Sequence, residues 1–300
     1  MKQPLVLALM LVALMSIAVA QATAEPLVVS TTTNRLLTFD SSTPGTITNN
    51  VAITGLQANE RLRGLDYRPA SGLLYGLGES NRLYTINPLT GVAVFASQIS
   101  TLTFGVGYGV DFNPVADRLR IVNAVNGQNL AVNVDTGETT TEGNINPAGA
   151  GIIGSAYTNN FAGATSTTLY GLNGLSLFIQ NPPNSGTLTH VGALGFNSFF
   201  GVDSLGGFDI SGQTGIAYAA LRPGSNVFGL YGINLSTGQA TLVGRIGTGE
   251  EIFINGLAAP VGASVGAIPE PATMVLFGTG LAGVVMKVRK RRTAQGDDAA

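Results

Sequence analysis

The hydrophobic positions of this chain fall in short runs. Between residues 26 and 260, apolar stretches such as 73–77, 82–86 and 92–95 are separated by turns rich in Gly, Asn, Asp and Pro. No stretch in this region keeps apolar residues at the 3.6-residue period of a helix, whereas β-branched and aromatic residues are frequent. The pattern predicts an all-β domain built from many short strands.

One of these runs recurs as a sequence repeat. In each copy a Gly is followed two positions later by Asp or Ala and then by Tyr, Phe, Ile or Ala. The five copies begin at Gly64, Gly109, Gly154, Gly207 and Gly256, at spacings of 45, 45, 53 and 49 residues. Each interval holds four strand-like runs, and four strands in about 45 residues is the spacing of a β-propeller blade.

The number of blades follows from the strands that are missing at each end. Residues 27–53 contain three strand-like runs with no Gly-containing first strand before them, and residues 255–259 form a first strand with nothing after it. Joining the two completes a blade. The sequence therefore predicts five four-stranded blades, closed by the C-terminal strand in the N-terminal blade.

The two ends of the chain carry export signals. Residues 1–24 have a Lys, a short apolar core and two small-residue cleavage sites, after Ala20 and after Ala24, as a secretory signal peptide does. Near the C-terminus, an apolar stretch at 274–286 is followed by five cations between Lys287 and Arg292, the pattern of a short stop-transfer helix. We therefore expect a signal peptide at 1–24, a propeller domain at 25–260, a linker at 261–268, a sorting segment at 269–292 and a cytoplasmic tail at 293–300.

The C-terminal segment also resembles a known signal. Pro269, Glu270 and Pro271, followed by Ala-Thr, the apolar stretch and a closing Arg291-Arg292, resemble the PEP-CTERM sorting signal of Gram-negative bacteria. The resemblance implies recognition by an exosortase near the tripeptide, a transient inner-membrane anchor through the C-terminal transmembrane helix, and delivery to the envelope or an exopolysaccharide matrix. An ordinary tail anchor is the alternative.

The mature region resembles a family of secreted bacterial domains of unknown function, DUF4394. The residues that carry the resemblance are 55–60, 64–70, 74–78 and 83–88, which read GLQANE, GLDYRPA, LYGLG and LYTINP. This family implies no activity, so the resemblance supports the fold and leaves the function open.

Composition excludes several kinds of chemistry. The 300 residues include no Cys and one His, so thiolate catalysis, disulfides and a Cys/His metal site within one chain are ruled out. Residues 25–268 contain nine Arg, no Lys and fourteen acidic residues, a net charge of −5. A nucleic-acid partner is therefore not expected, because such partners require a basic surface.

The repeat places one carboxylate in each of three first strands, the strands that line a propeller's channel. These residues are Asp66, Asp111 and Asp209, and the other two copies carry Ala156 and Ala258. Three roles remain open: Ca²⁺ ligands, the two acids of a glycosidase, or acceptors that link each blade to the next through backbone hydrogen bonds. We favour the structural role, and we assign no cofactor, with Ca²⁺ as the alternative.

Two pairs of arginines are the candidate anion-binding residues. Arg61 and Arg63, like Arg118 and Arg120, lie two positions apart, so in an extended strand each pair projects from one face and suits a carboxylate or a phosphate. Ordinary ion pairs with Glu60, Asp66, Asp111 or Asp117 are the alternative.

These observations predict an exported envelope or matrix propeller without enzymatic activity. Its expected partners are the exosortase and an exopolysaccharide or matrix protein, and we assign no catalytic residue and no metal site. A hydrolase of sugars or lactones that uses the channel Asp residues is the second hypothesis, and a purely structural matrix component is the third. Two or more Asp side chains projecting into an accessible channel, about 5 to 9.5 Å apart, would favour the hydrolase.

Overall fold

The structure is a computed structural model that describes residues 24–197, 206–224, 227–248 and 252–263. Nearly all of the expected signal peptide, and the whole sorting segment from Pro269 onward, lie outside these residues. In the described part of the chain, no helix is long and apolar enough to cross a membrane.

Twenty strands make up the described domain, together with one short 3₁₀ turn at Pro183–Ser185. In chain order the strands are β1 (Pro26–Thr31), β2 (Arg35–Asp40), β3 (Ile47–Ala52), β4 (Leu62–Tyr67), β5 (Leu74–Gly78), β6 (Arg82–Ile86), β7 (Ala93–Gln98), β8 (Tyr108–Asn113), β9 (Arg118–Asn123), β10 (Asn129–Val132), β11 (Thr139–Thr141), β12 (Gly154–Tyr157), β13 (Leu169–Leu172), β14 (Ser176–Gln180), β15 (Leu188–Ala193), β16 (Gly207–Ile210), β17 (Ala217–Leu221), β18 (Gly229–Ile233), β19 (Ala240–Arg245) and β20 (Ile254–Ala258).

The strands form five antiparallel four-stranded blades. Blade I is β20, β1, β2 and β3, and blades II to V are β4–β7, β8–β11, β12–β15 and β16–β19. The C-terminal strand β20 pairs with β1 so that Val28 lies opposite Ala258. The five-bladed propeller, closed by the C-terminal strand in the N-terminal blade, is therefore confirmed.

Turn residues set the strand ends within the blades. At the turn between β6 and β7, the side-chain oxygen of Asn87 accepts the N–H groups of Leu89 and Thr90, and Gly91 has a φ of +74°. Asn133 and Asn234 head equivalent turns, each followed four positions later by a Gly with positive φ. An Asx turn closed by Gly reverses the chain without strain, which explains the recurring Asn and Gly of the sequence.

The repeat glycines allow neighbouring inner strands to approach closely. A Cβ added to Gly109 would lie 2.2 Å from the Ser155 hydroxyl, and one added to Gly154 would lie 2.6 Å from the Cβ of Phe208. Equivalent close approaches occur at the other three repeat glycines. Any side chain at these positions would push two blades apart, so the glycines keep the axis of the ring narrow.

Apolar side chains from adjacent blades fill the spaces between sheets. Between blades II and III, for example, Phe112 packs edge-on against Tyr75 with ring centroids 5.3 Å apart, and Leu77, Leu119 and Ile121 are buried around them. Because each such cluster draws on two blades, no blade buries its core alone.

The ring has two faces. We call the side with the loops that precede the inner strands β4, β8, β12, β16 and β20 the mouth face, and the side with the loops that follow them the exit face. Both ends of the described chain lie on the exit face: the Glu25 carboxylate accepts a hydrogen bond from Ser211, and the Gly262 N–H donates to Asn160.

Candidate functional site

The three repeated carboxylates meet at the axis of the ring. Asp66 in blade II, Asp111 in blade III and Asp209 in blade V lie near the exit-face ends of their inner strands, and none is more than 1% exposed. One carboxylate oxygen of each lies within 4.8 Å of the others. The repeat thus brings the three side chains into one sealed cluster.

The carboxylates of Asp66 and Asp111 connect three consecutive blades. Asp66 accepts the N–H of Tyr67 in its own strand and that of Phe112 in blade III, both at 2.7 Å. Asp111 accepts the N–H of Tyr157 in blade IV at 3.0 Å. Each carboxylate therefore bonds the inner strand of the blade that follows it in the ring.

Asp209 completes the set. It accepts the N–H of Ile210 in its own strand and that of Ala259, which follows β20, the inner strand of blade I, both at 2.6 Å. The five amides that follow the repeat Asp or Ala position are thus all bonded, by five of the six carboxylate oxygens. The remaining oxygen, Asp111 Oδ2, accepts no N–H from the described residues.

Burial raises the pKa of all three carboxyl groups. Burial raises the pKa of Asp66 and of Asp111 well above the usual value, with a further rise from repulsion among the carboxylates. Burial also raises the pKa of Asp209, to about 7, against the lowering effect of its two N–H donors. The three carboxyl groups therefore hold their protons to a higher pH than exposed Asp side chains do.

This arrangement fits neither of the chemical roles considered for the repeated Asp residues. Ca²⁺ takes six to eight oxygen ligands, whereas five oxygens of the cluster already accept backbone hydrogen bonds. The two acids of a glycosidase must reach a substrate and stand about 5 Å or more apart, whereas these are closer and sealed. The contacts match the structural role, in which each Asp fixes one blade to the next.

A separate cavity of about 280 Å³ opens at the mouth face. Five of its lining residues come from one position of the repeat, the residue immediately before the repeat Gly. They are Arg63, Tyr108, Ile153, Gly206 and Asn255. We call this set the mouth ring.

Other residues complete the cavity wall. Arg61, Glu79 and Thr32 line it from neighbouring strands and loops. The loop before β8 contributes Val106, which is 45% exposed at the rim.

The arginines at the mouth differ in how firmly they are held. Arg63 donates through Nη1 to the Thr103 hydroxyl at 2.9 Å and to the Tyr108 hydroxyl at 3.0 Å, and its guanidinium lies 5.0 Å from the centre of the Tyr108 ring. Arg61 is exposed, and its guanidinium has no hydrogen bond or ion pair with the described part of the chain. One cation is therefore fixed in position and the other is available to a ligand.

The mouth and the Asp cluster do not communicate. Below the mouth ring, four of the repeat glycines and the residues that pack against them enclose a space along the axis with a volume of about 10 Å³. That volume is at the limit for one water molecule. A ligand bound at the mouth is therefore kept away from Asp66, Asp111 and Asp209.

The second arginine pair lies elsewhere. Arg118 and Arg120 line another cavity of about 320 Å³, with residues of β10 and of the 181–187 turn. Arg120 is buried and donates to Glu142, to Asn129 and to the Tyr157 hydroxyl. The two side chains line the same cavity, and they do not join the mouth.

The ion pairs differ from the alternative considered above. None of the four arginines pairs with Glu60, Asp66, Asp111 or Asp117 within the described residues; Arg120 pairs with Glu142. Asp117 pairs instead with Arg68, which also binds Asp135 and so joins blade II to blade III. A pairing partner depends on which blades adjoin, and spacing along the chain does not reveal this.

Tyr108 and Asn255 were not singled out from the sequence. The signal that identifies them is their repeat position, since both immediately precede a repeat Gly, as Arg63 does. Aligning that position across the five copies would have predicted the mouth ring.

Family comparisons agree with this architecture. The model of the family described as Domain of unknown function (DUF4394) matches residues 35–258. The chain belongs to the DUF4394 family. A PEP-CTERM protein-sorting motif matches residues 267–292, so this DUF4394 protein is an exported protein that an exosortase processes at the cell envelope.

Similar solved structures are distant. A candidate 6-phosphogluconolactonase from Bacteroides uniformis is 19% identical, with 71% of this chain and 68% of that chain covered and a TM-score of 0.34. A protein of unknown function from Bacteroides thetaiotaomicron is 13% identical, with coverage of 74% and 58% and a TM-score of 0.46. Myxococcus xanthus glutaminyl cyclase is 17% identical, with coverage of 67% and 72% and a TM-score of 0.37. At these scores the likenesses carry no functional argument, and among curated proteins none matches this chain.

Proposed function

We propose that this DUF4394 protein is a binding protein of the envelope or extracellular matrix, and that it holds an acidic sugar of an exopolysaccharide at the mouth of its channel. The observation that carries the proposal is the mouth ring, in which one repeat position brings a fixed cation, Arg63, into a single open cavity that Tyr108 and Asn255 also line. Arg61 adds a second cation beside them.

The chemistry of the cavity suits a carboxylate on a sugar. Arg63 and Arg61 supply charge-assisted donors, and Thr32 supplies a hydroxyl that can bond the hydroxyls of a sugar. The Asn255 amide lines the cavity but is held in place, since its oxygen accepts from Ser30 and its nitrogen donates to the Leu62 carbonyl. Ile153 and Val106 supply apolar surface for the ring carbons. The volume of about 280 Å³ lies near the lower end of small-ligand sites, which suits one residue of a chain that continues outside the cavity.

Binding fits this cavity better than hydrolysis does. Glycoside hydrolysis needs two carboxyl groups on opposite sides of the scissile bond. Among the described residues that line the mouth, Glu79 is the one acid. The three buried Asp residues are separated from the mouth by the narrow channel, so they offer no second acid.

Calorimetry with the purified exported protein tests this proposal. We expect a uronate-containing polysaccharide to bind and its carboxyl-reduced, neutral form to bind at least tenfold more weakly, because the charge-assisted bonds are worth about 1.5 to 3 kcal/mol. Arg61→Gln and Arg63→Gln should each weaken binding by about tenfold, whereas Arg118→Gln, outside the mouth, should bind as the wild type does.

The exposed position of Arg61 makes its variant the safer test, since its side chain bonds to nothing in the described residues that would be lost on substitution. Equal affinity for the acidic and neutral polysaccharides, or equal losses in Arg61→Gln and Arg118→Gln, would contradict the proposal.

A further inference from the structure

Three loops of the exit face meet where the described chain ends. They are 158–168 in blade IV, 211–216 in blade V and 259–263 after β20. The Gly262 N–H donates to the Asn160 carbonyl at 2.8 Å, the Gly212 N–H donates to the Pro260 carbonyl at 3.0 Å, and Phe161 forms a β-bridge with Gly262. We call these three loops the exit patch.

The exit patch carries no charged side chain. Its exposed residues are small or polar and uncharged, among them Asn159, Thr165, Ser166 and Gln213. The acidic residue that packs against it, Glu25, is 2% exposed, and its carboxylate accepts hydrogen bonds from Ser211 and Thr214.

The opposite half of the same face is different. There the loops after β4 and β8 hold Arg68 and Asp117, which form an ion-pair network with Asp135, and the Asp135 side chain is 60% exposed. Exposed ion pairs thus lie on the opposite half of the exit face, whereas the three loops of the exit patch hold no charged side chain. Beside the patch, blade I contributes the buried Glu25 and, at the turn between β2 and β3, Asp40, whose carboxylate accepts the N–H and the hydroxyl of Ser42.

The tether to the sorting motif is short. The motif begins at residue 267, and Pro269 lies six residues beyond Ala263. Six residues span at most about 22 Å when fully extended, which is less than the roughly 45 Å width expected of a domain of this size. The domain therefore has to stand close to the enzyme that processes the motif, with the exit face toward it.

We propose that the exit patch is the surface that docks against the membrane-embedded processing enzyme, the exosortase. A close approach to a membrane-embedded partner removes water from the surfaces that meet, and an unpaired charge there would be costly to desolvate. Hydroxyl, amide and methyl groups avoid that cost. The uncharged patch thus lets the short tether deliver the Pro-Glu-Pro segment to the enzyme.

Charge placed on the patch of the full-length protein, in its native host, tests this docking. Thr165→Glu with Gln213→Glu adds two exposed charges to the patch. Thr54→Glu with Gln57→Glu makes the same two changes on exposed residues of the mouth face and is the matched control. Pulse-chase labelling follows conversion of the long form to the shortened form.

We expect the patch variant to be processed about tenfold more slowly and the control to be processed at the wild-type rate. A ten-residue Gly-Ser spacer inserted after Ala263 should restore the rate of the patch variant, because a longer tether frees the motif from the docked surface. The purified domain of the patch variant should keep the wild-type unfolding midpoint.

Three results would overturn the inference: wild-type processing of the patch variant, equal slowing of the control, or slowing that the spacer does not relieve. The last would indicate a defect of export or folding. None of these measurements involves the sugar site, so their failure is distinct from failure of the proposed function.

Discussion

The two ends of the channel are built from the same repeat with opposite results. At the mouth, the position before the repeat Gly varies from blade to blade, with Arg63, Tyr108 and Asn255 among its occupants, and the cavity is open. At the exit end, the position two residues after the Gly holds Asp or Ala, and every polar group but one is bonded within a sealed cluster. In this repeat the recurring carboxylate thus builds a sealed structural cluster, whereas the open cavity forms at the position that varies.

Removing β20 should disturb both ends at once and should have the largest effect. This strand supplies Asn255 to the mouth, and Ala259, which follows it, donates to Asp209. A chain that stops at Thr248 leaves β1 as an unpaired inner edge in blade I. We expect it to be insoluble or unfolded, whereas a chain that stops at Gly266 should unfold at the wild-type midpoint in thermal melts. A folded protein that ends at Thr248 would show that the ring does not depend on this closure.

Substitution of Asp209 should be the most damaging change within the sealed cluster. Its loss leaves the N–H groups of Ile210 and Ala259 without partners, since the repeats that adjoin them carry Ala156 and Ala258. An unpaired buried donor costs about 1 to 3 kcal/mol, so Asp209→Ala should lower the free energy of unfolding by about 2 to 6 kcal/mol.

Asp111→Ala is the matched comparison, because it leaves one donor, the Tyr157 N–H, unpaired. We expect it to cost about 1 to 3 kcal/mol in urea unfolding. Equal costs for the Asp111 and Asp209 variants would contradict this account of the hydrogen bonds.

The sealed end should also make stability depend on pH. The pKa values of the three carboxyls are raised by burial, so the folded protein holds more protons than the unfolded chain, and stability falls as the pH rises through the folded-state pKa. With the pKa of Asp209 at about 7, the loss between pH 5.5 and 8.5 should be on the order of 2 kcal/mol or more.

Asp111→Asn sharpens this test. The amide oxygen can still accept the Tyr157 N–H, and the amide does not titrate in this range. Chemical denaturation at several pH values should show a flatter profile for this variant. A wild-type profile that is flat or rises across the same range would show that the cluster does not retain protons.

The smallest effect is expected at the mouth. Tyr108→Phe removes the hydroxyl that accepts from Arg63 and donates to the Phe104 carbonyl at 2.8 Å. Arg63 keeps its bond to Thr103, so we expect acidic-polysaccharide binding to weaken by about two- to tenfold, the equivalent of one neutral hydrogen bond. Calorimetry of this variant and of Arg61→Gln would compare their losses of affinity for the acidic polysaccharide. A larger loss in Tyr108→Phe would mean that Arg63, the fixed cation, contributes more to binding than the exposed Arg61.

The fold could be predicted from the sequence because its signals are local and repeated. The spacing of the Gly-containing first strands set the blade length, and the absence of a first strand before residue 27 identified the closure. The shared position of Asp66, Asp111 and Asp209 correctly placed them on inner strands.

The character of each site could not be predicted in the same way. Whether the Asp cluster is open depends on how closely the inner strands approach, which is set by contacts such as that between Gly109 and Ser155 in different blades. Likewise, Arg61–Arg63 and Arg118–Arg120 have the same spacing, but the first pair lies at the start of an inner strand and the second lies on the next strand outward. Spacing alone does not distinguish these positions.

The odd number of blades has a consequence for how this repeat can vary. Each carboxyl can cover two successive amides around the ring, its own and that of the next blade, so two carboxyls cannot cover five amides and three can. Three suffice only when the two vacant positions are not neighbours, and Ala156 and Ala258 are separated by blade V. Three carboxyl groups offer six oxygens to five N–H groups, so one oxygen is in excess. Ala at two separated positions of the repeat therefore lowers the number of buried acids while every one of these N–H groups keeps an acceptor.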